Sequence, residues 1–191
     1  MEYLTSIEFL GQTYNLMPAR LKTQGIVLKK IGLLNLDNLI TIFTKELGKI
    51  VTVAKGIKKL NSRRAPHIQT GNLIDLMLYS KNDRYYLQES SIISGFSKLK
   101  KDAKKISMIY YYFLILDKLL PENSQEEEIY KITLKFLINL SKIKETDNKL
   151  IENSLNRVLS KLGFIRGHKT LEELHILVED LLGEKIRFFV I

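Results

Sequence analysis

The apolar residues change their spacing near residue 97, and that change restricts the chain to a few architectures. From Thr23 to Ser97 they alternate over short runs, while beyond Ser97 they recur every three or four residues over long ones. Residues 23–31, 38–44, 49–54, 71–80 and 84–92 read as strands, rich in β-branched and aromatic side chains and bounded by Gly, Asn and Asp. "SKNDR" (80–84) has the composition of a hairpin turn. Five short strands predict a small closed or half-closed barrel, and the commonest five-stranded version is the OB-fold.

The second half has helical spacing. Residues 98–120 form one long pattern ended by Pro121. Residues 124–143 place Ile129, Ile132, Phe136, Leu137 and Leu140 on one face, and Ser124 and Glu127 have the spacing of a capping box. Residues 146–163 do the same with Leu150, Ile151, Leu155, Val158, Leu159 and Leu162, and Gly163 is a natural stop. Residues 170–183 open with Thr170 and Glu173 and end at Gly183. The expected class is α+β, all-β then all-α: an N-terminal five-stranded OB-fold barrel followed by an α-helical bundle domain. The expected division is an unassigned extension over 1–22, a nucleic-acid-binding OB-fold over 23–97 and an α-helical domain over 98–191.

Charge separates the halves further. Thirty Lys and Arg oppose 21 Asp and Glu, a net +9, which points to a polyanionic partner. Residues 1–97 hold thirteen basic and seven acidic side chains; residues 98–191 hold seventeen and fourteen. The densest stretch is "FTKELGKIVTVAKGIKKLNSRR", where Lys45, Lys49, Lys55, Lys58, Lys59, Arg63 and Arg64 surround the single acid Glu46. Gly56 permits an irregular loop there, over which the cations can spread along a phosphate backbone. Lys81 and Arg84, beside the hairpin turn, extend that candidate DNA-binding surface. A second run, Lys98, Lys100, Lys101, Lys104 and Lys105 with only Asp102 among them, is a candidate secondary DNA or partner contact. A solvated first turn of a helix is an equal reading of this run, and lysines at a helix start oppose its dipole, which tips slightly toward a functional reason. Phe43, Tyr79, Tyr85 and Tyr86 are the aromatics near the strands. Neighbouring strand residues point to opposite faces, so one of Tyr85 and Tyr86 belongs to the core. Tyr110 to Phe113 read as helix core.

Several function classes are excluded or lack support. Without cysteine there are no disulfides, no thiol catalysis and no cysteine-based zinc site. The chain carries no phosphate-loop, dinucleotide-binding, nucleophile-elbow or zincin motif. His67, His168 and His175 have no metal-ligand spacing, and Glu126 to Glu128 suit the first turn of a helix electrostatically. No catalytic residue and no cofactor are expected. The acidic N-terminus lacks the basic start and cleavage site of a secretory signal. The longest apolar run, Ile106 to Leu116, stops at Asp117, short of the roughly 20 residues a membrane span needs. The expectation is a soluble, cytoplasmic protein without a membrane partner.

The order of these pieces carries a resemblance. "GIVLKK" (25–30) precedes "LITIFTKELGKIVTVAKGIKKLNSR" (39–63), then "GNLIDLMLYSKNDRYYLQESSIISGF" (71–96) and a helical segment ending "LLP" (119–121). The chain resembles the RecO family of bacterial recombinational DNA-repair proteins from about Thr23 to Ser141, and more weakly to Gly163. The resemblance implies an OB-fold set on a helical domain, a nucleoid-associated protein that binds single- and double-stranded DNA and anneals complementary strands. It implies RecR, and in some lineages RecF, as partners. It also implies engagement of the tail of single-stranded-DNA-binding protein, so that the recombinase can load. The family's basic positions match here at Lys55, Lys58, Lys59 and Arg63, with Gly56 and Ser62 between them. The chain departs from the family in having no four-cysteine zinc module, and "GLLNLD" (32–37) is one residue longer than the family's turn after the first strand. No motif for the tail pocket is matched. The competing readings are a basic OB-type RNA-binding or ribosome-associated module, and a scaffold whose basic surface docks acidic protein tails.

Overall fold

One strand, β3 (Arg20–Gly32), runs for thirteen residues and pairs along both of its edges. The computed structural model containing it describes residues 6–9, 12–15, 20–144 and 147–186. The first half of β3 lies antiparallel to β6 (Leu73–Lys81), the second half antiparallel to β4 (Asn38–Thr44), and Gly25 and Ile26 are paired on both sides. A β-carbon on Gly25 would run into the side chain of Ile42, so the tight bend at this doubly paired position requires glycine. The register slips between Val27 and Lys29, a bulge that turns the strand around the barrel. β5 (Gly48–Ala54) returns from β4 as a hairpin, β7 (Arg84–Ser94) returns from β6, and β5 and β7 meet in parallel at Thr52–Tyr85 and Val53–Tyr86. The order β3-β4-β5-β7-β6 closes on itself. That closed five-stranded barrel is the OB-fold expected from the strand spacing.

Two further strands, β1 (Ser6–Phe9) and β2 (Gln12–Asn15), form an antiparallel pair within the span left unassigned from the sequence. The rest of residues 1–19 lies outside the described residues. So do residue 146, where the third helix is expected to begin, and residues 187–191 of the expected helical domain.

Alternation along the strands turns Val27, Ile40, Ile42, Ile50, Ile74 and Leu87 into the barrel, and Ile57 and Ile68 from the long β5–β6 connection close it. A second core begins on the outside of the same wall. Ile26, Leu28, Phe43 and Leu73 pack with four helices: α1 (Ala103–Leu119), α2 (Glu127–Lys142), α3 (Asn148–Lys161) and α4 (Leu171–Leu182). The ring of Phe43 meets Tyr130 of α2 edge-on at 5.5 Å, and Tyr112 of α1 stacks on Phe136 of α2 at 4.4 Å. No helix among the described residues is long and apolar enough to cross a membrane.

Two helix starts differ from the sequence expectation. Lys98 does not open a long helix. Leu99–Lys101 make one tight turn pinned by the buried Leu99, and Asp102 then adopts extended backbone. The Asp102 carboxylate accepts from the Lys105 backbone N–H at 3.2 Å and so caps α1, because a short acidic side chain satisfies a free helix amide better than it continues a turn. The capping box expected at Ser124 and Glu127 does not form, and Glu126 stands at the cap position without a side-chain bond. Residues 122–125 are drawn onto the β4–β5 hairpin instead. Asn123 N–H donates to the Lys49 carbonyl at 2.9 Å, and the Ser124 carbonyl covers Gly48. The other end signals hold. Thr170 and Glu173 form a reciprocal capping box, and Gly163 and Gly183 take the left-handed conformation past α3 and α4.

Candidate nucleic-acid interface

The β6–β7 turn sets the geometry. Asn82 and Asp83 both have positive φ, 51° and 56°, the pattern of a two-residue hairpin turn whose twist suits the flanking strands. Counting back from it, Lys81 faces Arg84 and Tyr79 faces Tyr86. Cross-strand partners share a face, and the Tyr79 and Tyr86 rings stack at 4.9 Å with 12° between their planes. Tyr85 turns the other way and packs against the barrel core, as alternation requires. β3 lies on the far side of β6 and pairs Arg20 with Tyr79 and Lys22 with Met77, adding two exposed cations beside the rings. Just past β5, Lys55 sets its ammonium 4.9 Å from the Tyr86 ring centre, a cation–π contact. The result is an outward patch of two stacked, half-buried rings with Lys55 over one of them. Arg20 and Lys22 lie at its side and Lys81 and Arg84 at its tip.

The other basic residues divide by what they touch. Lys59 and Arg63 are exposed, with no acidic partner among the described residues. Lys58 is exposed too, but its ammonium donates to the carbonyls of Leu33 and Asn35. Arg64 is a brace: its Nη1 donates to Leu87 O and its Nη2 to Lys55 O, each at 2.7 Å, which ties the loop to β7. Lys49 is 6% exposed and donates to the Asp117 carbonyl at 2.7 Å, so it is withdrawn from any ligand. Lys45 is exposed near Glu46, at the opposite end of β5 from Tyr86.

In the second run, Lys98, Lys101 and Lys104 are exposed, whereas Lys105 is buried and donates to Ile143 O at 2.6 Å. Lys100 is half-buried and donates to Asn72 Oδ1. Burial, and then the nearby charge of Lys30, hold its ammonium below the ordinary lysine pKa. Charge density in the sequence does not distinguish a brace from a presented cation, because both are Lys or Arg in a basic stretch. Arg20 and Lys22 escaped that reading, lying before the first strand as expected from Thr23. The facing of Tyr79 and Tyr86 was recoverable by counting back from the hairpin turn.

A groove of about 580 Å³ runs between β3 and α1. Leu28, Ile109, Phe113 and Leu114 form its apolar floor, and Lys29, Lys30 and Lys100 stand on its rim. Lys29 pairs with Asp117 at 3.1 Å. The histidines lie apart: His67 Nδ1 is 3.1 Å from Ser90 Oγ, His168 lies beside Glu152, and His175 meets the Tyr111 hydroxyl. Among the described residues no group of three His, Cys, Asp or Glu is placed to hold a metal ion.

Residues 17–96 match the family model described as recombination protein O N terminal. The chain is similar to DNA repair protein RecO of Thermoanaerobacter sp. (strain X514), 30% identical over 146 residues, covering 76% of this chain and 58% of that protein. It is similar to DNA repair protein RecO of Acetivibrio thermocellus, 27% identical over 144 residues, covering 75% and 57%. A third, from Caldanaerobacter subterraneus subsp. tengcongensis, is 24% identical over 145 residues, covering 76% and 59%. The chain thus spans less than three fifths of the length of these relatives.

Proposed function

We propose, from the premise that the chain belongs to the RecO family through its N-terminal domain, that it acts in DNA repair as a non-catalytic protein that binds DNA on the barrel and helps complementary strands pair. The observation that carries this reading is the Tyr79–Tyr86 stack with Lys55 over it and cations on either side. Unpaired bases stack on aromatic faces, and their phosphates are met by Lys and Arg. Neutralising phosphates on two strands lowers their mutual repulsion and releases counterions. The pairing energy comes from the bases, so the protein needs no general acid, base or nucleophile. Residues 23–97, together with Arg20 and Lys22 at the start of β3, serve as the binding unit in this reading, and the protein works in the cytoplasm, at the nucleoid. Fluorescence anisotropy with a labelled single-stranded oligonucleotide across salt concentrations tests it. A slope of log K against log salt of about −3 to −5 fits a path over several phosphates, at roughly −0.7 each. No binding at low salt rejects the reading, and preference for structured RNA in direct competition favours an RNA-binding module instead.

The groove between β3 and α1 supports a protein partner as well. Its apolar floor and lysine rim suit an acidic tail ending in an aromatic residue, the chemistry expected of the single-stranded-DNA-binding protein tail. A labelled acidic peptide ending in Phe, titrated against Lys30→Glu, tests this partner. RecR, and in some lineages RecF, complete the proposed set, and co-elution with RecR is the corresponding check.

A further inference from the structure

Three of the ten large apolar side chains that stand exposed among the described residues lie on two neighbouring stretches. They are Leu34, Leu36 and Leu60, and Leu34 and Leu60 are fully exposed at 111% and 109%, while a fourth, Ile31, stands at the end of β3 just before the first stretch. The stretches are the turn after β3 (residues 32–37) and the loop 55–64, and they are clasped together. Lys58 N–H donates to Leu36 O at 3.0 Å, and Lys58 Nζ donates to the carbonyls of Leu33 and Asn35 on either side of Leu34. Asp37 accepts from Gly56 N–H at 2.7 Å and from Asn35 Nδ2 at 3.0 Å. The buried Ile57 anchors the loop in the barrel, and Arg64 ties its far end to β7. The backbone under the leucines is therefore held on several sides, while the leucines themselves touch water. A frame braced in this way presents apolar surface without ordering costs when a ligand arrives.

From this we infer that the clasped loops form an apolar finger that packs against the faces of unpaired bases. The inference rests on the nucleic-acid reading above and names which form of nucleic acid the site selects. Two observations identify the occupant. The finger is continuous with the tyrosine patch, because Lys55 at the root of the loop sits on Tyr86. It is also flanked by positive charge, with Lys30 before the turn and Lys59 and Arg63 beside Leu60. The acid within the turn, Asp37, is spent on the clasp, and Asp117 is paired with Lys29. The occupant thus carries negative charge close to flat apolar surface. A single strand offers both, whereas a duplex hides its base faces in its own stack.

The test compares wild type with L34S/L60S by anisotropy on one labelled sequence, as a single strand and as a duplex, at four salt concentrations. Both leucines are fully exposed, so thermal melts of the two proteins should coincide. The expected result is a loss of single-strand affinity of about tenfold, equal at every salt because no cation is removed, with duplex affinity unchanged. A 2-aminopurine base in the strand should lose its protein-induced fluorescence change in the same variant. Wild-type single-strand binding that L34S/L60S retains in full overturns the finger and leaves the DNA reading standing. A loss equal for strand and duplex overturns it as well. Should the variant lose binding to anionic phospholipid vesicles but not to DNA, the finger is a lipid contact and the inference fails. Failure of wild type to bind any oligonucleotide removes the finger together with the reading it rests on.

Discussion

The ammonium of Lys49 donates to the main-chain carbonyl of Asp117 at 2.7 Å, joining β5 to the last turn of α1. That carbonyl is among the four that a helix leaves without an internal partner, and a cation there also complements the negative end of the dipole. Lys49→Met keeps most of the stem but removes the donor. It should destabilise the fold by about 1–3 kcal/mol, seen as a lower midpoint in urea. The salt slope of oligonucleotide binding should be unchanged, because this lysine faces the protein.

Gly48 separates two kinds of glycine penalty. Its φ is +69°, and a β-carbon there would overlap the Ser124 carbonyl. Gly183 has a similar φ, +65°, but open space around it. Gly183→Ala should cost about 1–2 kcal/mol, the left-handed penalty alone. Gly48→Ala should cost clearly more, since residues 122–125 must leave the β4–β5 hairpin. Paired thermal melts check the order of the two.

Tyr86→Ala removes one ring of the stack and the seat of Lys55. Single-strand affinity should fall by about 1–3 kcal/mol, with a smaller change for duplex DNA. Tyr85→Ala, which touches the barrel core instead, should lower the melting temperature more than it lowers binding. Anisotropy and melting on the same preparations distinguish the two tyrosines.

Arg63 and Arg64 are adjacent in sequence and opposite in role. Replacing Lys59 and Arg63 with Gln should make the salt slope for single strands less negative, by about 0.7 for each phosphate no longer neutralised. Arg64→Gln should instead lower stability, because the carbonyls of Lys55 and Leu87 lose their donor. Slopes and urea midpoints for the two variants provide the comparison.

Glu179 gives the acid limb a definite sign. Its carboxylate accepts from Lys185 Nζ and from the Ile186 backbone N–H, each at 2.9 Å, and these bonds hold its pKa below the ordinary glutamate value of 4.5. The unfolded chain takes up this proton first as pH falls, so the stabilisation is full above the ordinary value and is lost as pH drops through the folded one. Glu179→Gln should flatten part of the decline in urea midpoint below about pH 5, while changing little at pH 7 beyond a constant offset.

The barrel was legible because both of its signals are local. Alternation marked each strand, and the turn at Asn82–Asp83 fixed the β6–β7 register and with it the meeting of Tyr79 and Tyr86. Helix ends were legible where the cap is made within the helix, as at Thr170 and Glu173. They were misread where the tertiary fold competes for the same residues. Ser124 had the right neighbour for a cap, yet its backbone is held by a hairpin some seventy-five residues earlier in the chain. The same limit applied to the basic stretch. Lys49, Lys58, Arg64 and Lys105 donate to carbonyls of Asp117, Leu33, Leu87 and Ile143, partners distant in sequence that local spacing does not report. The leucines of the finger gave no signal of their own, since an isolated Leu in a loop reads the same whether it is covered or bare.

The wall that carries Ile26, Leu28, Phe43 and Leu73 belongs to two interiors at once. Its inner side fills the barrel and its outer side is the floor of the helical core, reaching as far as Val178. The matched family region ends at residue 96, inside the material that this floor needs for cover. The segment that the N-terminal family model matches is therefore smaller than the segment whose apolar wall is covered on both sides. A chimera that transplants residues 17–96 would carry the tyrosine patch and the basic loop with it, together with a bare apolar wall that the recipient must roof over.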